Sequence, residues 1–119
     1  MTQDIRTLRR LSEAYLDQQV LGIAHENGWK AYHVRDSRRV IQGDTGYPDW
    51  TLARDGKVVL MECKTEAGRL EPAQVEWLEA LGWPGFDDQW GQWGLVTLPH
   101  VYVVRPSDWD ERRIHAVLK

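Results

Sequence analysis

The sequence predicts a mixed α/β sandwich, and three observations carry that expectation. Apolar residues recur at helical spacing near the start of the chain and again after Pro72. Short strand-like runs flank an Asp55-Gly56 turn. The elements then follow in the order helix, strand, hairpin, helix, strand, helix.

Ser12 opens the first helix, which runs to about Asn27. Leu16, Val20, Ile23 and Ala24 form its apolar stripe, and Asn27-Gly28 stops it. Glu13 intrudes on the stripe, because it lies three residues before Leu16 and points the same way. Asp17 lies at the stripe's edge. Trp29 to Val34 reads as a short strand, and the polar stretch Arg35 to Pro48 reads as a loop. A hairpin follows, Trp50–Arg54 and Lys57–Lys64. Both of its faces are largely apolar, which predicts layers above and below it. Pro72 begins a second helix, since proline is favoured where no N–H is needed. Val75, Leu78 and Leu81 face inward, and Gly82 ends the helix. Val101 to Arg105 reads as another strand. Pro106-Ser107 starts a final helix, with Ser107 and Asp110 at capping-box-like spacing. The Trp-rich segment from Trp83 to Leu98 has no clear period. It would cover the sheet, form a dimer contact, or stack on unpaired bases.

With 119 residues the chain is expected to form one domain, residues 1–119, with a single modest core. No apolar run reaches the ~20 residues of a membrane span. The start, Met1-Thr2-Gln3-Asp4, lacks the form of a signal peptide. Cys63 is the only cysteine, which excludes an internal disulfide and a thiolate metal cage. A cytoplasmic protein is the expectation. The net charge of −3 argues against a sequence-independent DNA coat. It leaves a nuclease open, because metal-site acids add to the negative total. Basic residues cluster locally at Arg6, Arg9 and Arg10, and again at Arg35, Arg38 and Arg39.

The chemistry begins with counting across Asp55-Gly56, a strong signal for a two-residue hairpin loop. If Arg54 pairs with Lys57, then Trp50 pairs with Met61 and Asp49 with Glu62. Directly opposite residues share a face, with Cβ atoms ~5 Å apart. Two carboxylates that close repel each other unless a cation or a proton lies between them. Lys64, two residues beyond Glu62, lies on the same face, and Cys63 points to the opposite one. Two acids and a lysine on one sheet edge suggest metal-assisted chemistry on a phosphate. Hard cations such as Mg²⁺ take oxygen ligands, which Asp49, Glu62 and the backbone carbonyl of Cys63 could supply. Lys64 would stabilise charge on the phosphate or orient the attacking water. Simpler readings stand beside these: a turn residue for Asp49, an ion pair for Glu62 and Lys64, a solubilising strand-end lysine. Gln74 can cap its own helix at Glu71 or project toward the site. Glu13 could add a further acid from the first helix or stay in solvent, with Asp17 and Gln19 as substitutes. His33 could contact nucleic acid, or be structural.

Gly46-Tyr47-Pro48-Asp49, then Glu62-Cys63-Lys64, then Gln74 resembles the VRR-NUC family of the PD-(D/E)XK nuclease superfamily. Ser12-Glu13, Gly28-Trp29, Gly68-Arg69-Leu70 and Arg105-Pro106-Ser107-Asp108-Trp109 support it, the last resembling small phage-type members. The resemblance implies an α/β, restriction-endonuclease-like core. Its mixed central sheet would carry the active site on a β-hairpin, flanked by helices. It also implies Mg²⁺- or Mn²⁺-dependent cleavage of DNA phosphodiesters in the cytoplasm of a phage host. By matched position, Asp49 and Glu62 would be metal ligands, Lys64 the catalytic lysine, Gln74 the active-site glutamine, and Glu13 the first-helix acid. His33, Arg35, Arg38 and Arg39 would hold the DNA backbone. Stand-alone members of this size look like structure-selective endonucleases, including homodimeric resolvases of four-way junctions. Glu71 departs from the family's usual Ser or Thr cap, and the Trp-rich segment is longer than usual. The competing expectation is a nuclease-fold module that binds DNA or a partner without cleaving.

Overall fold

The computed structural model describes residues 11–34, 42–83 and 100–119. Helix α1 (Glu13–Glu26) leads into β1 (Lys30–His33), the hairpin β2 (Trp50–Arg54) and β3 (Lys57–Cys63), and helix α2 (Pro72–Ala80). Strand β4 (Val101–Val104) and two short helices, α3 (Pro106–Asp110) and α4 (Arg113–Leu118), close the chain. The strands form one mixed sheet in the order β1-β2-β3-β4, antiparallel except for the parallel pair β3–β4. Among the described residues this is an α/β fold with an open four-stranded sheet flanked by helices.

The hairpin has the register counted from its sequence, with Arg54 opposite Lys57 and Trp50 opposite Met61. Asp55 and Gly56 both adopt positive φ, 52° and 79°. Those angles suit a two-residue turn whose twist matches the strands. Alternation along β3 then splits the core in two. Val59, Met61 and Cys63 join Trp50, Leu52 and the α1 stripe, Leu16, Val20, Ile23 and Ala24, with Ile114 and Leu118 of α4. Leu60 faces the other way, into a cluster with Leu78, Trp83, Val101 and Val103. Glu62 and Lys64 follow the parity of Leu60 and lie on the α2 side.

Ser12 caps α1 by accepting a hydrogen bond from the Tyr15 N–H at 3.0 Å, and Asn27 ends it. Trp29 precedes β1 as a core residue; its indole N–H donates to the Leu118 carbonyl at 2.8 Å. The Arg54 guanidinium lies over its ring, 4.5 Å from the centroid, and donates to the carbonyls of Asn27 and Lys119.

Two expectations need correction. The hairpin is not buried on both faces along its length. Ala53 is exposed and Val58 is 48% exposed, because α2 spans only nine residues and packs near Leu60 and β4. The last helix is not continuous either. Pro106 takes the first helical position, so the cap falls on Arg105 and the third position on Asp108. The Asp108 carboxylate accepts from the Arg105 N–H at 2.8 Å, in place of a Ser107–Asp110 box. Arg112 then breaks the helix with a φ of 62°. Among the described residues, no helix is long and apolar enough to cross a membrane.

Candidate metal and phosphate site

Four elements converge at the end of the hairpin remote from its turn. Asp49 immediately precedes β2, and its carbonyl accepts from the Val34 N–H at 2.8 Å, extending the β1–β2 ladder. Its carboxylate Oδ2 accepts from the Cys63 N–H at 2.9 Å. The carboxyl groups of Asp49 and Glu62 lie within hydrogen-bonding reach of each other, so the two acids do share a face. Glu62 is 1% exposed. Its Oε1 accepts from the Gln74 side-chain N–H at 3.2 Å, whereas Oε2 is buried without a hydrogen-bond partner.

The electrostatics follow from that burial. Loss of solvent, then the charge and proximity of Asp49, push the Glu62 carboxyl up to about 10, against the opposing pull of Lys64. Burial also raises Asp49, opposed by its bond from the Cys63 N–H. A pair of this kind titrates as a unit and holds one shared proton over a wide pH range. Lys64 is 7% exposed and is the cation whose charge acts on both Glu62 and Glu13.

Gln74 performs both roles that its position allows. Its carbonyl oxygen accepts from the Glu71 N–H at 2.8 Å, capping α2, and its amide N–H donates to Glu62. The approach of α2 depends on Gly46. A Cβ there would lie 2.6 Å from the carbonyl carbon and oxygen of Ala73, at a φ of 95° that disfavours any side chain. Tyr47 continues the contact, its ring edge-on to Trp77 and its hydroxyl 3.2 Å from that of Thr51.

The first helix brings two acids to the site. Glu13 is exposed at the start of α1, yet it senses Lys64, Asp49 and Asp17; partial burial is the main cause of its raised pKa. Asp17, which the sequence placed only at the edge of the stripe, sits closer in. Its carboxylate, that of Asp49 and the Cys63 Sγ all lie within 4.8 Å of one another. The Trp50 indole N–H donates to Asp17 Oδ1 at 2.8 Å, and His33 Nε2 is 3.4 Å from Oδ2. One helical turn separates Glu13 from Asp17, which is the sequence signal that either could reach the site. His33 packs against Trp50, with ring centroids 4.5 Å apart, at the wall of the site. Arg35, Arg38 and Arg39 lie outside the described residues, as does the Trp-rich segment beyond Trp83.

A second polar cluster supports the strand that carries Lys64. The Arg105 guanidinium donates to the carbonyls of Thr65 and Gly68 at 2.6 and 2.8 Å, and the Ser107 N–H and hydroxyl donate to the Glu66 carboxylate. The loop after Lys64 is thereby fixed to α3.

No family model, no curated protein and no solved structure matches this chain.

Proposed function

We propose that this chain is a metal-dependent DNA endonuclease with a restriction-endonuclease-like core, acting on branched or otherwise structured DNA. One observation carries the proposal: Glu62 Oε2 is buried without a partner against a second carboxyl, beside a buried lysine. Burying an unpaired carboxylate is costly, and a fold that keeps two together does so for a proton or a cation. The donor set fits a hard divalent cation. Asp49 and Glu62 would hold it with the Cys63 carbonyl, and all three offer oxygen. When bound, such an ion polarises a phosphoryl oxygen and acidifies water.

The chain's own residues supply the rest. Lys64, on the same face two residues beyond Glu62 and acting by its charge on Glu62 and Glu13, would stabilise charge developing on a scissile phosphate. Gln74 holds the Glu62 carboxyl in one orientation, and its capping bond holds Gln74 itself. Glu13 and Asp17 set the negative field at the mouth. His33, at the end of β1, and the arginines that follow it in sequence would contact the phosphate backbone. Backbone contacts position a duplex without reading its sequence, which favours selection by DNA structure. A homodimer would place two such sites on one junction.

The direct test is incubation with labelled four-way junction, flap, single-stranded and plain duplex DNA, in Mg²⁺, Mn²⁺ or EDTA. We expect cleavage of branched substrates that requires the cation and disappears in Glu62→Ala. Binding without cleavage of any substrate would instead identify a non-catalytic module. Cleavage that survives both EDTA and Glu62→Ala would refute the metal chemistry.

A further inference from the structure

We propose that the uncovered half of the sheet face is a docking surface for unpaired DNA, where a base stacks on Tyr32 while Lys30 and Lys57 hold phosphates. Strand register sets Lys30 and Tyr32 of β1 opposite Ala53 and Thr51 of β2, and those opposite Val58 and Leu60 of β3. All six share one face, which continues along β3 to Glu62 and Lys64. Helix α2 packs on that face at Leu60, through Leu78. Away from Leu60, Tyr32 is 66% exposed and Val58 48%, and Lys30 and Ala53 are exposed as well.

Three observations select the occupant. The first is the ring itself, since an exposed tyrosine offers a π-face to any base, and Ala53 and Val58 extend its apolar floor. The second is charge. A concavity of about 400 Å³ at the turn end of the hairpin is lined by Lys30, Arg54 and Lys57 against a single acid, Asp55. Arg54 is engaged by the carbonyls of Asn27 and Lys119. Lys30 and Lys57 are exposed and hold no ion pair among the described residues, so both charges are available to phosphates. The third is position. From Val58 to Glu62 the strand advances about 13 Å, or about four nucleotides at 3.4 Å each. A strand with one phosphate at Glu62 and Lys64 therefore reaches Tyr32 and the two lysines within a few nucleotides. Bases inside a duplex have no open face to offer Tyr32, so the contact rewards only DNA that is already unpaired, as at a flap or a branch.

The choice of DNA as occupant rests on the proposed function, but the test is binding in the absence of a cation. Protein is titrated into labelled oligothymidine in EDTA while fluorescence anisotropy is followed. We expect Tyr32→Ala to weaken binding at least about fivefold, and Tyr32→Phe, which keeps the ring, to bind like the wild type. An oligomer of abasic sites, equal in charge, should bind the wild type no better than oligothymidine binds Tyr32→Ala. Lys30→Gln combined with Lys57→Gln should reduce the slope of log affinity against log salt by about one or more. Equal oligothymidine affinity in the wild type and Tyr32→Ala would overturn the surface, as would full affinity for the abasic oligomer. So would a Tyr32→Ala effect confined to self-association in sedimentation, which would make the face a contact between copies of the chain. Loss of cation-dependent cleavage alone, with binding through Tyr32 intact, would remove the nuclease reading and leave the surface standing.

Discussion

Replacing Glu62 with glutamine should stabilise the cation-free protein at neutral pH. Glu62 is 1% exposed and its carboxyl is pushed up to about 10 from an ordinary 4.5. A group whose folded pKa is raised binds its proton more tightly in the folded chain. Its stability contribution is complete below pH 4.5 and is lost progressively as pH climbs toward the folded value. The loss is about 1.4 kcal/mol per pH unit, or roughly 3 kcal/mol between pH 4.5 and pH 7. Glutamine mimics the protonated acid. Its oxygen can still accept from Gln74, and its N–H can donate to Asp49 where two carboxylates could not. Urea unfolding in EDTA at several pH values between 5 and 8 measures this. The wild-type curve should fall with pH, the Glu62→Gln curve should be flatter, and the variant should lead by about 2–3 kcal/mol at pH 7. Saturating Mg²⁺ should stabilise the wild type and not the variant, because binding only to the folded state shifts the equilibrium. A Glu62→Gln protein less stable than wild type at pH 8 in EDTA would refute the reasoning.

Further outcomes follow from the same contacts. Lys64→Ala should lower the cleavage rate by about 100-fold or more without weakening Mg²⁺ binding in a thermal-shift titration. Gly46→Ala should cost at least about 2 kcal/mol in urea unfolding, since the new Cβ meets the Ala73 carbonyl at 2.6 Å and φ is 95°. Gln74→Ala removes the α2 cap and the donor to Glu62, and should cost about 1–3 kcal/mol by the same measurement. Arg105→Ala strips donors from the Thr65 and Gly68 carbonyls. It should destabilise by about 3 kcal/mol and speed hydrogen exchange across residues 65–68 before the rest of the sheet.

The hairpin was legible because its information is local. A two-residue turn fixes register, and a period of two then assigns every side chain to a face, including Glu62 and Lys64. Helix α1 was legible for a similar reason, since Ser12, the stripe and Asn27 all lie within it. The parallel pairing of β4 with β3 depends on contacts distant in sequence, and no short pattern encodes it. Asp17 was underestimated because its reach depends on how α1 is rotated over the sheet. That rotation is set by Leu16 and Val20 in the core and by the bond from Trp50, which lies 33 residues away. Gln74 presented two readings that looked exclusive. A side-chain amide carries both a donor and an acceptor, so one residue satisfied both. The break at Arg112 had no sequence signal, since arginine seldom adopts positive φ.

The site also shows how a fold can hold four acids together. Glu13 and Asp17 stand in the first two turns of α1, and Gln74 lies in the first turn of α2. Both helices therefore direct their N-termini toward the cluster, where the partial positive charge of unpaired N–H groups favours anions. Lys64 adds a full charge, and the Cys63 N–H adds a hydrogen bond to Asp49. None of these reaches Glu62 Oε2, which remains the one buried oxygen of the cluster without a hydrogen-bond partner among the described residues. Helix ends, lysine and backbone thus moderate the repulsion without supplying a hydrogen-bond donor to Glu62 Oε2. A proton there makes the pair tolerable, and a divalent cation can replace that proton. The cation-free protein should for that reason take up a proton at this site that Mg²⁺ displaces. Mg²⁺ titration in weakly buffered solution should release protons from the wild type and fewer from Glu62→Gln; equal release from both would place the exchangeable proton elsewhere.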